Sequence, residues 1–175
     1  IWNKAQSVKQ LHVIEKQVEL LDGTRVEYDK LLIATGANSF IPPVGNLREA
    51  KNVFGLRHLS DAQAIDQSAK EAENIVIIGS GLVGLDAAYG LMETGKNVSI
   101  VEMADRILPV QLDKTAAKEY QKRFESAGAK FYLGRKAAET KMDETGKITT
   151  VILDNGEALK SDLIIVAAGV RSATA

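Results

Sequence analysis

The apolar run Ile75-Val76-Ile77-Ile78 leads directly into Gly79-Ser80-Gly81-Leu82-Val83-Gly84, and this junction constrains the fold more than any other feature of the chain. A short apolar run bounded by glycine predicts a buried strand. The residues after it predict a helix over about 82–93, closed by Gly95 in a left-handed conformation. A second strand, Val98–Glu102, then ends on an acid about 20 residues past the glycine loop. Strand, glycine turn, helix and strand in that order form a βαβ unit, and such units build an α/β fold on a parallel sheet.

Each loop position has a physical reading. Gly79 permits the tight turn out of the strand. Gly81, lacking a side chain, lets a pyrophosphate approach the backbone amides at the helix N-terminus, where free N–H groups and the positive end of the helix dipole favour an anion. Gly84 lets the helix pack closely on the strand. Ser80, Leu82 and Val83 complete the candidate phosphate loop. Glu102 can accept hydrogen bonds from the adenosine ribose hydroxyls and repels a 2′-phosphate, so the pattern predicts binding of NAD(H). Arg106, four residues on, is the counter-indication: a cation that holds a phosphate, or one paired with an acid. Asp86 has two readings, as an acid favouring the helix dipole or as a contact to the nicotinamide end of the cofactor.

The flanking sequence extends the α/β pattern. A helix is expected from Ser60, whose spacing to Gln63 fits a capping box. Leu112, Ala116, Tyr120 and Phe124 recur every four positions and predict an amphipathic helix over Asp113–Ala127, closed by Gly128. Strands follow at about 130–132 and 149–153, then a turn at Asp154-Asn155-Gly156 and a buried strand at Leu163–Ala167. Before Pro42-Pro43, which breaks regular structure and reads as a stiff linker, Val18–Leu21 and Arg25–Tyr28 flank Asp22-Gly23 as a hairpin. Leu31–Ala34 reads as another buried strand, ending at Thr35-Gly36.

Val18–Ser39 and Val151–Ser172 align without a gap at a constant offset of 133. Val18 matches Val151, Gly23 matches Gly156, Asp29 matches Asp162, Ala34 matches Ala167, Gly36 matches Gly169 and Ser39 matches Ser172. Two related nucleotide-binding units in one polypeptide account for this repeat. The counterpart of the glycine loop in the first unit would fall before Ile1, so the chain reads as an internal fragment that lacks the front of its first unit.

Composition excludes several classes. A formal net charge of −1 argues against nucleic acid as a partner. No apolar run approaches the roughly 20 residues of a membrane span, and no secretory signal pattern opens the chain, which reads as cytoplasmic. With no cysteine, and with His12 and His58 standing apart, no metal site or catalytic residue is expected.

The chain resembles the pyridine nucleotide-disulfide oxidoreductase family over nearly its whole length, within it the branch of NADH oxidases, NADH peroxidases, coenzyme A-disulfide reductases and nitrite reductases. Tyr28–Ala37 is similar to that family's second FAD motif, Ile77–Ala88 to its NAD motif, Asp105–Pro109 to the segment after the ribose-binding acid, and Ala168-Gly169-Val170-Arg171 to the turn back into the FAD domain. The resemblance implies a Rossmann-like three-layer NAD(H)-binding domain with a parallel sheet and a β-meander over 44–168. It also implies a partial FAD-domain segment and linker over 1–43, and a return to the FAD domain from 169 to 175. It places Thr35 and Gly36 near FAD, and Ala168 and Gly169 near the nicotinamide of NAD. The family usually carries Glu at Asp86, Tyr at Leu82, and Pro-Asn at Ser172-Ala173. The implied reaction is hydride transfer from NADH to FAD in a homodimeric parent enzyme, with the electron acceptor unspecified. The competing readings are a stand-alone NAD-binding regulatory module without redox chemistry and a methyltransferase-like nucleotide fold.

Overall fold

The structure, a computed structural model, describes residues 5–174, and the chain divides into two compact units, residues 1–36 and 37–175. In the first unit, β1 (Val8–His12), β2 (Gln17–Leu20) and β3 (Arg25–Glu27) form an antiparallel sheet. Gly23 makes the β2–β3 turn at φ 86°, and Asp22 supports it by accepting from the Thr24 amide. Glu19 ties the sheet together, with its carboxylate 2.7 Å from Lys9 Nζ, 2.9 Å from His12 Nε2 and 3.6 Å from Arg25. The Lys9 and His12 contacts hold this carboxyl at about 2.

The expected strand at Leu31–Ala34 does not form: the segment is irregular and its side chains are exposed, Leu32 by 87%. An apolar run becomes a buried strand only between neighbours that complete its backbone hydrogen bonds, and among the described residues no strand pairs with this one.

The second unit opens with β4 (Ala37–Ser39), β5 (Val53–Gly55) and α1 (Leu59–Ala69). The capping acid of α1 is Asp61 rather than the Ser60–Gln63 pair: its carboxylate accepts from the amides of Arg57 and His58. Next come β6 (Asn74–Ile78), α2 (Leu82–Glu93), β7 (Asn97–Glu102), α3 (Lys114–Ser126) and β8 (Lys130–Leu133). A meander follows, β9 (Ala137–Met142), β10 (Ile148–Leu153) and β11 (Ala158–Lys160), and then β12 (Leu163–Val166) and β13 (Val170–Ser172). Gly95 and Gly128 both have positive φ, at the helix ends where the sequence places them.

Five strands form a parallel sheet in the order β5-β12-β6-β7-β8. Alternation along the strands divides the core into two faces. Ile75, Ile77, Val98, Ile100, Leu163 and Ile165 pack with the helices. Val76, Val101, Ile164 and Val166 pack with Ile148, Val151 and Leu153 of the meander. The unit is therefore three layers: helices, parallel sheet, antiparallel sheet. Burial on both faces explains why β6 and β12 are continuous apolar runs; each fully buried side chain contributes about 1.5–3 kcal/mol relative to exposure.

On α3 the four-residue period misleads. Ala117 is buried, while Ala116 and Tyr120 are exposed. A four-residue spacing drifts about 40° per step around a helix of 3.6 residues per turn, so the packed stripe runs through Leu112, Ala117 and Phe124.

The sequence repeat is a repeat of hydrogen-bond register. Val18 pairs with Val26 and Gln17 with Glu27; Val151 pairs with Leu159 and Thr150 with Lys160, the same pairs displaced by 133. The repeat also closes on itself: β4 and β13 pair antiparallel with Asn38 opposite Arg171, two positions that correspond under that same offset.

Candidate dinucleotide-binding site

At the C-terminal ends of β6, β7 and β12, a cleft of about 500 Å³ opens in the second unit, lined among others by Gly79, Gly81, Glu102 and Ala168. Ligands of open α/β sheets bind at this end of the strands. Gly79 leaves β6 with φ 107°, and a Cβ there would lie 2.5 Å from the Ala167 carbonyl oxygen. Gly84 is buried at the start of α2, and a Cβ on it would collide with the Gly79 carbonyl oxygen. These two glycines are close-approach positions between loop, helix and β12.

Gly81 differs from both. It caps α2 with φ −70° and ψ 178°, a conformation open to any residue, and nothing lies within 4 Å of where its Cβ would be. The space its missing side chain leaves is part of the cleft. The amides of Leu82, Val83 and Gly84 begin the helix, where N–H groups have no intrahelical partner. The arrangement fits an anionic group at the mouth of α2.

Glu102, the last residue of β7, is held in place from both sides. Its Oε2 accepts from the Ser80 amide at 2.9 Å and the Ser80 hydroxyl at 2.8 Å. Its Oε1 accepts from the Ala104 amide at 2.8 Å. Arg106, whose role the sequence left open, is committed elsewhere. It donates to the carbonyls of Pro109 and Leu112 and pairs with Asp105 at 2.9 Å. Lys114 and then Arg106 hold the Asp105 carboxyl below the usual range. Arg106 thus shapes the 103–112 loop and is not offered to a phosphate.

The other expected site residues separate. The side chains of Leu82 and Val83 are exposed and do not line the cleft. Asp86 is exposed and borders two surface grooves beside α2 instead of the cleft. As the fifth helical residue it also lies past the first turn, where an acid gains from the dipole. Gly169, φ 93°, follows Ala168, and its carbonyl accepts from the Phe40 amide. Thr35 and Gly36 are exposed in the first unit, Gly36 with φ 80°.

Three features escaped the sequence reading. Arg135 and Lys136 line the cleft beyond β8, and among the described residues neither forms an ion pair. Asn52 is buried and joins three elements, donating to the carbonyls of Ile148 and Asp162 and accepting from the Ile148 amide. Ser80, in sequence a loop position, holds Glu102. No spacing rule marks any of them, because their contacts form where loops and strands meet in space.

The family model described as pyridine nucleotide-disulphide oxidoreductase matches residues 2–175. The chain belongs to this family. It is 36% identical over 165 residues to the NADH-dependent phenylglyoxylate dehydrogenase subunit epsilon of Aromatoleum evansii, covering 94% of this chain and 38% of that one. It is 34% identical over 149 residues to an NADH oxidase of Enterococcus faecalis, covering 85% and 33%. Among solved structures, the ferredoxin reductase of Rhodopseudomonas palustris superposes with a TM-score of 0.84 at 28% identity, covering 94% and 40%. The water-forming NADH oxidase of Lactobacillus brevis, bound to NADH, gives 0.83 at 25%, covering 97% and 38%. The chain spans about two fifths or less of the length of these relatives.

Proposed function

We propose that residues 44–168 form the NAD(H)-binding domain of an FAD-dependent oxidoreductase of this family. In this assignment residues 1–43 belong to its FAD-binding domain and linker, and the chain turns back toward that domain from 169 to 175. The observation that carries this reading is the convergence of Gly81, the start of α2 and a fixed Glu102 on one cleft. The names of relatives, NADH oxidase among them, agree with it. NADH, when bound, supplies the hydride that the family passes to FAD.

The chain's own residues bind and orient the cofactor. The amides at the start of α2 take the pyrophosphate, with Arg135 and Lys136 adding positive charge along the cleft. Glu102 accepts from the adenosine ribose and disfavours a 2′-phosphate. Ala168 and Gly169 stand at the nicotinamide end. Thr35 and Gly36 are assigned to FAD. Asp86, like Gly169, does not line this cleft, and a contact to the nicotinamide end of the cofactor is the role proposed for it.

A fluorescence titration tests the assignment. Saturable binding of NADH, with NADPH markedly weaker and little FAD retained, is expected. Retained FAD without saturable NADH binding would refute it, and tight NADH binding by a gene product with no flavin domain would favour a regulatory module.

A further inference from the structure

Ser80 is buried completely, one of three buried polar residues among those described, with Asn52 and Ser161. Its amide and its hydroxyl donate to the same atom, Glu102 Oε2. Its carbonyl accepts from the Leu108 amide at 3.1 Å, and Leu108 holds φ 46°, a conformation that a branched side chain rarely adopts. The serine therefore joins the glycine loop, the acid ending β7 and the loop that follows it.

The consequence for Glu102 follows from lone-pair capacity. Each carboxylate oxygen accepts about two hydrogen bonds. Among the described residues Oε2 takes both donors of Ser80, whereas Oε1 takes one donor, the Ala104 amide, and keeps one site open. Glu102 lines the cleft, so Oε1 is the atom left to meet a ribose hydroxyl. A glutamate without this clamp would sample several rotamers and spread its charge. A clamped one keeps that charge at one point, where it opposes a 2′-phosphate.

We propose that Ser80 is a positioning residue that fixes Glu102 for recognition of the adenosine ribose and so sets the preference for NADH over NADPH. The proposal rests on the reading of the cleft as the NAD(H) site. It assigns to a side chain inside the glycine loop a part in selectivity, separate from the contact of that loop with phosphate.

The test is a double-mutant cycle on the purified protein with Ser80→Ala and Glu102→Ala, titrated with NADH and with NADPH. Ser80→Ala alone is expected to raise the Kd for NADH about tenfold, the worth of a charge-assisted hydrogen bond. It should change the Kd for NADPH about twofold at most, so the selectivity ratio falls. In the Glu102→Ala background the same substitution is expected to have no further effect on NADH, since nothing remains to be positioned. Equal weakening of both dinucleotides, or the same loss in both backgrounds, would make Ser80 merely structural and overturn the proposal. Unchanged affinities would overturn it as well. Wild-type protein that binds no NADH would instead sink the assignment of the cleft. Thermal melts establish that each variant is folded, and Ser80→Gly, which also lacks the hydroxyl, replaces the alanine variant if that one does not fold.

Discussion

Replacing Gly81 by alanine separates binding from stability at a single position. Its backbone, φ −70° and ψ 178°, suits alanine, and no heavy atom lies within 4 Å of the new methyl group. The stiffer unfolded chain stabilises by about 0.4–1 kcal/mol, and the poorer fit of alanine at an N-cap offsets this by a similar amount, so the Tm should move by no more than about 2 °C. The methyl group projects into the cleft where the pyrophosphate would approach the amides of α2. Losing one hydrogen bond to a charged oxygen costs about 1.5–3 kcal/mol, or roughly a ten- to hundredfold rise in the Kd for NADH. Calorimetry for stability and fluorescence titration for binding read the two effects apart. A Gly81→Ala protein that is no less stable and binds NADH as tightly as wild type would refute the placement of the pyrophosphate. Gly79→Ala is the contrasting variant: with φ 107° and a carbonyl oxygen 2.5 Å from its Cβ, it should lose stability outright.

Further outcomes follow from the rest of the structure. Asn52→Ala removes the acceptor of the buried Ile148 amide and a donor to the Ile148 and Asp162 carbonyls, and denaturant unfolding should show a loss of about 1–3 kcal/mol. Glu19 sits at about 2, below its ordinary 4.5, because of Lys9 and then His12. A depressed carboxyl pKa stabilises fully above the unfolded value, and that contribution is lost as pH falls from about 4.5 toward 2. Acid titration followed by amide NMR should show the β1–β3 sheet loosening across this window, and Glu19→Gln should remove that dependence.

The second unit was legible because its signals are local. The βαβ junction at 75–102 is written in contiguous residues, and strand, glycine turn, helix and acid all form where their own sequence places them. The repeat was legible too, since hairpin register follows from turn position. What escaped depends on distant partners. Leu31–Ala34 has the composition of a buried strand, yet composition cannot supply the neighbours that β12 receives from β5 and β6. The edge strand β5 and the outer meander strand β9 were missed because they are short or polar, and their pairing, not their own pattern, makes them strands. In the site, Glu102 was readable from its spacing. The clamp by Ser80, the diversion of Arg106 to carbonyls and the approach of Arg135 and Lys136 are products of loops meeting in space.

NAD(H) placed across Gly81, Glu102 and Ala168 would report on its own position through amide NMR during an NADH titration. Saturable shifts are expected to concentrate at Gly79–Gly84, Glu102–Ala104 and Ala168–Gly169, with smaller effects from NADPH. Saturable shifts centred elsewhere, or none at all, would refute that placement.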